Sequence, residues 1–291
     1  MGETRKILTL AGPLVIGQVG QMMLGVADTV MVGVLGVVEL AALTFGSLLF
    51  HVPFVFGIGA LTAVSIRTSS ARGSGDQATA RAVCRNGLYL AACIGVSLFL
   101  LSLLLLPFLD RFGQEPEVAA RAPLYFVLIM ASGIPALMSI ALKNHADAMD
   151  SPWPAFWISL SGILLNIGLN WVMIYGKLGC PALGLEGAGW ATLIARSAIL
   201  LAILVWFIKS RRLRGWVPLR WLLRPDGGEI RRQLALGGPG ALQMLAEVGA
   251  FSFAGILIGR FGAEALAAHQ IALTCAATAF MVPLGLAMAL T

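Results

Sequence analysis

Charge is scarce in this chain. Aspartate, glutamate, lysine and arginine together make up 12% of the 291 residues, whereas 58% are hydrophobic. That is about half the charged share of an ordinary soluble domain. A soluble fold cannot hide so much apolar surface, which makes lipid the solvent for most of the chain. The net charge is +6, but the basic residues sit in short gaps between apolar runs. With no basic face to offer a phosphate backbone, nucleic acid is excluded as a partner. The four cysteines, Cys84, Cys93, Cys180 and Cys275, have no CxxC spacing, so they read as small apolar helix residues rather than disulfide or metal ligands. No HExxH, no GxSxG and no Walker loop is present, and nothing sets a nucleophile beside a base. The chain is therefore read as no enzyme, with no catalytic residue and no cofactor. After MGETRKILTLAGP the apolar stretch runs on too long for a signal peptide and lacks a small-residue cleavage site, so the first span is expected to stay in the protein.

What is present is a series of apolar windows long enough to cross the hydrocarbon, which takes about 20 residues. There are eight: Ile7–Val38, Leu40–Ile66, Asn86–Leu109, Ala122–Leu142, Ser151–Gly176, Gly187–Ile208, Gln233–Gly259 and Ala265–Thr291. Only Asp28, Arg196 and Glu247 carry formal charge inside them. Pro53, Pro107, Pro135 and Pro283 are tolerable there, because neighbouring helices re-satisfy the freed carbonyls. Lys and Arg are retained on the cytoplasmic side of such proteins. With the N-terminus cytoplasmic, fifteen basic residues fall inside and four (Arg111, Arg121, Lys177, Arg260) outside. The expected location is the plasma (inner) membrane, multi-pass, with Gln114 and Cys180 outside.

The stretch 209–232 holds eight basic residues with Trp216, Trp221, Leu222 and Leu223 among them. That mixture predicts a short amphipathic segment lying on the anionic inner leaflet, between two bundles. A repeat supports the division. Shifted by 226 positions, Leu8–Pro13 (LTLAGP) meets Leu234–Pro239 (LALGGP), Gly33 meets Gly259, Gly36 meets Gly262 and Leu40–Ala42 meets Leu266–Ala268. Nine identities fall in 35 positions. Repeats that start with the same orientation are the parallel kind found in two-lobed transporters. The expected fold is all-α and integral to the membrane: a six-helix first lobe over residues 1–208, a linker over 209–232, and the first two helices of a repeat-related second lobe over 233–291. On this reading the chain ends inside its own repeat. Spans seven and eight then lack helical partners, and the linker is expected to be the first point of proteolysis.

A charge in the bilayer costs at least about 2.5–3.5 kcal/mol on insertion scales, so each such residue needs a reason. Glu247 lies near the middle of its window with Gln243 one turn before it, and Asp28 shares a helix face with Gln21 and, on its flank, Gln18. Asn166 and Asn170 are four apart, which puts two amides on one face. Such groups can simply glue helices together. A cluster of carboxylates and amide carbonyls also suits a hard cation, and a carboxylate in an apolar cavity can load and release a proton or exchange it for Na+. Arg196 either pairs with a buried carboxylate or serves the packing of its own lobe. Asp28, Asn166, Asn170 and Glu247 are the candidate coupling residues, and Gln18, Gln21, Gln243 and Arg196 the candidate polar lining of a cavity. No metal is expected beyond Na+ at the coupling site.

Three stretches carry a family resemblance: LAGPLVIGQVGQMMLGVADTVMVGVLG (Leu10–Gly36), LLNIGLNWVMIYGKLGCPALGLEGAGWATLIAR (Leu164–Arg196) and MLAEVGAFSFAGILIGRFGAEALAAHQIAL (Met244–Leu273). They resemble the multidrug and toxic compound extrusion (MATE) transporters, and among them the NorM-like branch. The resemblance implies twelve spans in two lobes forming a V around a cavity. It further implies export of bulky, often cationic drugs by antiport with Na+ or H+, and a monomer when complete. It assigns Asp28 to the family's first-span acid, Glu247 to the seventh-span acid of NorM-like members, and Asn166 and Asn170 to polar positions near the cation site. DinF-like relatives tend to have an aspartate where this chain has Asn170. A further second-lobe acid of that cation site would fall beyond Thr291. The same architecture in a lipid-linked oligosaccharide flippase would call for basic residues in the cavity, and a non-transporting fragment of an exporter is the other alternative.

Overall fold

The computed structural model describes residues 25–112, 116–218, 220–221 and 223–259, with positions 272, 275, 276, 279, 280 and 283 beyond them. Gln18, Gln21 and nearly all of the eighth expected span lie outside the described residues. Every regular element among the described residues is helical. Residues 25–33 are helical and are the described part of the first helix, α1. It is followed by α2 (Val37–Gly73), α3 (Gln77–Leu105), α4 (Pro116–Ala148), α5 (Pro152–Tyr175), α6 (Leu185–Lys209) and α7 (Gly227–Gly259). Helices α2 to α6 are each long and apolar enough to cross a membrane. Large apolar side chains such as Leu48, Leu104, Leu164, Leu201 and Ile208 point outward at more than 60% exposure. A soluble protein does not present an apolar girdle of that kind.

The helix ends follow from local chemistry. Gly36, at φ +149°, makes the turn between α1 and α2 in a conformation that side chains resist. Asp76 caps α3 by accepting from the Thr79 amide (3.0 Å) and hydroxyl (2.6 Å), which holds its carboxyl below the usual carboxylate range. Pro107 is why α3 stops at Leu105, short of the expected Leu109: with no N–H to continue the ladder, the chain tightens into a 3₁₀ turn over Leu106–Phe112. Pro152 opens α5 and Gly176, left-handed at φ +66°, closes it.

Helix α4 runs through the middle of the bundle, packed on α2, α3 and α6. Tyr125, Phe126, Ser132 and Leu137 are buried along it. Helices α5 and α6 form a close pair. A Cβ on Gly162 would lie 2.2 Å from Ile199, and one on Gly187 would lie 2.7 Å from the Met173 backbone. Glycine lets the two backbones approach at both crossings, the usual way membrane helices gain contact without a hydrophobic driving force.

Helix α7 departs from expectation, and the linker makes contacts that hydropathy does not specify. The segment after α6 turns Trp216 and Trp221 against the bundle. It is a strap across the shared end of α3, α4 and α6. Leu213 and Val217 are buried, and Trp216 and Trp221 pack against a core of Cys84, Leu142, Ala146 and Phe207. Its backbone is held by polar side chains of the bundle: Arg81 Nε donates to Gly215 O (2.7 Å), Tyr89 to Leu223 O (3.3 Å), and Asn86 Oδ1 accepts from the Asp226 amide (2.9 Å). Buried His145 bridges the Thr68 hydroxyl of α2 (3.0 Å) and Trp216 O of the strap (3.2 Å). Backbone groups taken from water need partners, and this bundle end supplies them. The arginines of the strap stay exposed.

Helix α7, expected to lack partners, packs along α2 and also touches α3. Gly237 meets the Ala60 carbonyl, where a Cβ would come within 2.0 Å, and Gly59 meets Ala241. Arg67 of α2 forks onto Glu229 through Nε–Oε1 at 2.6 Å and Nη2–Oε2 at 2.7 Å, and Gln233 Nε2 donates to Val83 O of α3 at 3.1 Å. The start of α7 is thus fixed by glycine contacts and a bidentate ion pair.

Candidate functional site

The polar centre of the bundle is a chain of hydrogen bonds crossing three helices. The glycine-mediated approach of α5 and α6 brings Asn166 and Asn170 of α5 against Thr192 of α6. Asn166 Nδ2 donates to Thr192 Oγ1 (3.3 Å), and Thr192 Oγ1 in turn donates to Ala188 O (2.9 Å). Asn170 Nδ2 donates to Asn166 Oδ1 (3.2 Å) and to Asp28 Oδ1 of α1 (2.5 Å). Tyr175 ties the same two elements by donating to Met31 O at 2.7 Å. Asn166, Asn170 and Thr192 are each no more than 2% exposed.

The arrangement has an unmet valence. Because the Asn170 amide turns its N–H groups toward the carboxylate, its Oδ1 is left buried with no hydrogen-bond partner among the described residues. A buried acceptor without a donor costs about 1–3 kcal/mol. Asp28, Asn166, Asn170 and Thr192 together present carboxylate, amide and hydroxyl oxygens, a donor set that suits a hard cation such as Na+. A proton on Asp28 would equally remove the isolated negative charge.

Arg196 lies one turn beyond Thr192 on the same face of α6. Its Nη1 donates to Ser132 Oγ of α4 at 2.9 Å, and its guanidinium lies 5.0 Å from the Phe50 ring centre and 5.4 Å from that of Phe54. Asp28, Tyr125 and Arg196 are within electrostatic reach of one another. Glu247 and Gln243 are placed elsewhere, at exposed positions of α7. That helix packs on α2 and α3, not on the α5–α6 pair. The structure therefore joins Asp28, Asn166 and Asn170 and leaves Glu247 apart from them. Sequence reasoning missed Thr192, Ser132 and the Phe50–Phe54 pair. The four-residue spacing of Thr192 and Arg196 was the available signal for the first; nothing in sequence spacing links the others to the site.

Comparison with known proteins follows the same lines. The MatE family pattern matches residues 13–172. A protein named probable multidrug resistance protein NorM from Bradyrhizobium diazoefficiens is 38% identical over 289 residues, covering 99% of this chain and 62% of its own length. The multidrug resistance protein NorM of Vibrio cholerae is 31% identical over 290 residues, with 99% and 63% covered. Among solved structures, the eukaryotic MATE transporter AtDTX14 superposes with a TM-score of 0.87 at 19% identity, over 99% of this chain and 63% of that one. The chain thus spans somewhat less than two thirds of the length of the curated relatives it matches.

Proposed function

The chain belongs to the MatE family of multi-pass membrane proteins, and on that footing we propose that it supplies the coupling lobe of an exporter in which Na+ or H+ entering the cell displaces a bulky organic cation. The observation that carries this reading is the Asp28–Asn170–Asn166–Thr192 chain, in which a buried Asn170 oxygen has no partner among the described residues. Loading a cation there neutralises Asp28 and gives the orphaned oxygen a ligand, so the loaded and empty lobes differ in internal charge. A ligand shifts a conformational equilibrium only through such a difference. Each elementary charge moved through the full membrane potential contributes about 2.3 kcal/mol per 100 mV.

The division into a first lobe (1–208), linker (209–232) and second-lobe helices (233–291) belongs to the same proposal, with the lobes rocking against each other about the basic linker. Glu247, exposed on α7, is then the acid that the second lobe presents to the cavity, with Gln243 beside it. The function is transport, with no catalytic residue; the partners are small organic cations and the bilayer, and the working unit is a monomer. The test is ethidium efflux from vesicles under an imposed Na+ or proton gradient, using the 291-residue chain alone and the same chain joined to the remaining third of a NorM relative. Efflux that follows one of the two gradients names the coupling ion. Efflux indifferent to both overturns antiport.

Orientation is tested separately. Cys180 is exposed in the loop between α5 and α6, and most of the basic residues lie in the segments at the opposite end of the bundle. In the plasma membrane with the N-terminus cytoplasmic, an impermeant maleimide added to intact cells labels Cys180 and leaves Arg72→Cys unlabelled. The reverse pattern would invert the topology.

A further inference from the structure

We propose that Phe50 and Phe54 form a seat for an organic cation, and that the Arg196 guanidinium occupies it as a tethered competitor. The two rings lie one turn apart on α2 and stack at 4.6 Å between centroids with an interplanar angle of 28°. A cation over two aromatic faces is the arrangement by which proteins hold quaternary and guanidinium ligands. Arg196 sits over both, at 5.0 and 5.4 Å. Ser132, fully buried, receives one of its N–H groups. The ion pairs among the described residues, Arg67–Glu229, Arg72–Asp150 and Lys143–Asp147, all lie elsewhere. The guanidinium is therefore held by rings and a neutral hydroxyl instead of a carboxylate within contact distance. A charge held so weakly can leave.

The space beside the rings is an apolar crevice of about 10 Å³, no larger than one water as it stands. Phe50 and Phe54 also form one wall of an apolar pocket completed by Pro53, Met130, Gly133 and Leu137. A molecule with its charge over the rings would have to part α2 from α4 along this crevice to lay its apolar body there. Among the described residues, the charged and titratable groups bearing on Arg196 are Asp28 of α1 and Tyr125 of α4. With Asp28 ionised, the guanidinium is drawn from the rings toward the carboxylate and the seat opens. With Asp28 neutralised by the coupling ion, that pull disappears and Arg196 returns to the rings. The inference rests on the organic-cation reading above and adds to it the place where the cation is held and what evicts it.

The experiment is equilibrium binding of tetraphenylphosphonium and ethidium to the purified chain in detergent. Removing the tethered competitor in R196Q should tighten binding about tenfold, the range expected for a freed cation–π site. R196K, which retains a mobile cation, should stay near wild type. Adding F54L or F50L to R196Q, which replaces a ring by an aliphatic of similar shape, should abolish the gain, with thermal unfolding confirming that each variant remains folded. A gain that survives both leucine variants would mean that loss of charge alone had raised affinity, and would overturn the seat while leaving organic-cation binding intact. Binding of neither probe by wild type and R196Q would overturn both readings.

Discussion

Asp28→Asn reduces gradient-driven efflux to the rate of empty vesicles without lowering the stability of the protein. The exchange keeps the shape of the side chain and removes only its ability to ionise. Asn170 Nδ2 can still donate to the oxygen at position 28, now 2.5 Å away in the wild-type arrangement. The new amide N–H₂ faces Asn170, whose Oδ1 is buried without a partner among the described residues, so the two amides can pair reciprocally. Replacing a buried charge by a satisfied neutral group is often neutral or stabilising. The lobe then has one internal charge state in place of two, and the cation gradient has nothing to act on. Efflux assays on vesicles and thermal unfolding in detergent separate the two parts of the expectation. Persistence of efflux at the wild-type rate would remove Asp28 from coupling and leave Glu247 as the acid to examine. A large loss of stability with efflux lost would make the Asp28–Asn170 bond structural glue.

Glu229→Ala lowers the unfolding free energy by about 3 kcal/mol, the lower part of the range for breaking a buried ion pair by removing one partner. Glu229 has a side chain only 5% exposed, whereas Arg67 is 21% exposed, so water partly relieves the stranded guanidinium. Truncation also removes one of the two acceptors of fully buried Gln233 Nε2, which keeps its bond to Val83 O. Because the pair fastens α7 to α2, the loss is expected to show locally: the strap over 210–226, which should resist protease in the wild type, becomes the first cleavage point. Replacing both partners, Arg67→Met with Glu229→Leu, should restore most of the stability, since no uncompensated charge remains. Denaturant unfolding and limited proteolysis in matched detergent check both. An unchanged digestion pattern in Glu229→Ala would mean that the glycine contacts at Gly59 and Gly237 hold α7 without help from the ion pair.

Membership of the membrane class, the all-helical fold and spans two to six were legible because they rest on local quantities. A run of apolar residues, a basic gap or a proline acts through its immediate neighbours and through the solvent, and lipid leaves a backbone few alternatives to a helix. Asp28, Asn166 and Asn170 were legible for a related reason: polar groups are so costly in that solvent that each one present invites an explanation. Thr192, Ser132 and the Phe50–Phe54 pair were not, since a threonine or phenylalanine in a span costs little and is unremarkable until its partner is known. The linker is a case in which the pattern leaves the contacts open. Its arginines and tryptophans suit a membrane surface equally well as a strap, and the choice was made by Asn86, Arg81, Tyr89 and His145, residues distant in sequence that offer its backbone hydrogen bonds. In this protein, hydropathy and charge by themselves determined what dissolves in lipid and which polar residues stand out there. Only the tertiary structure decided which of those residues meet, because contact depends on helix approach set by Gly162 and Gly187 in one pair and by Gly59 and Gly237 in the other, and an absent Cβ carries no record of the atom that will fill its place.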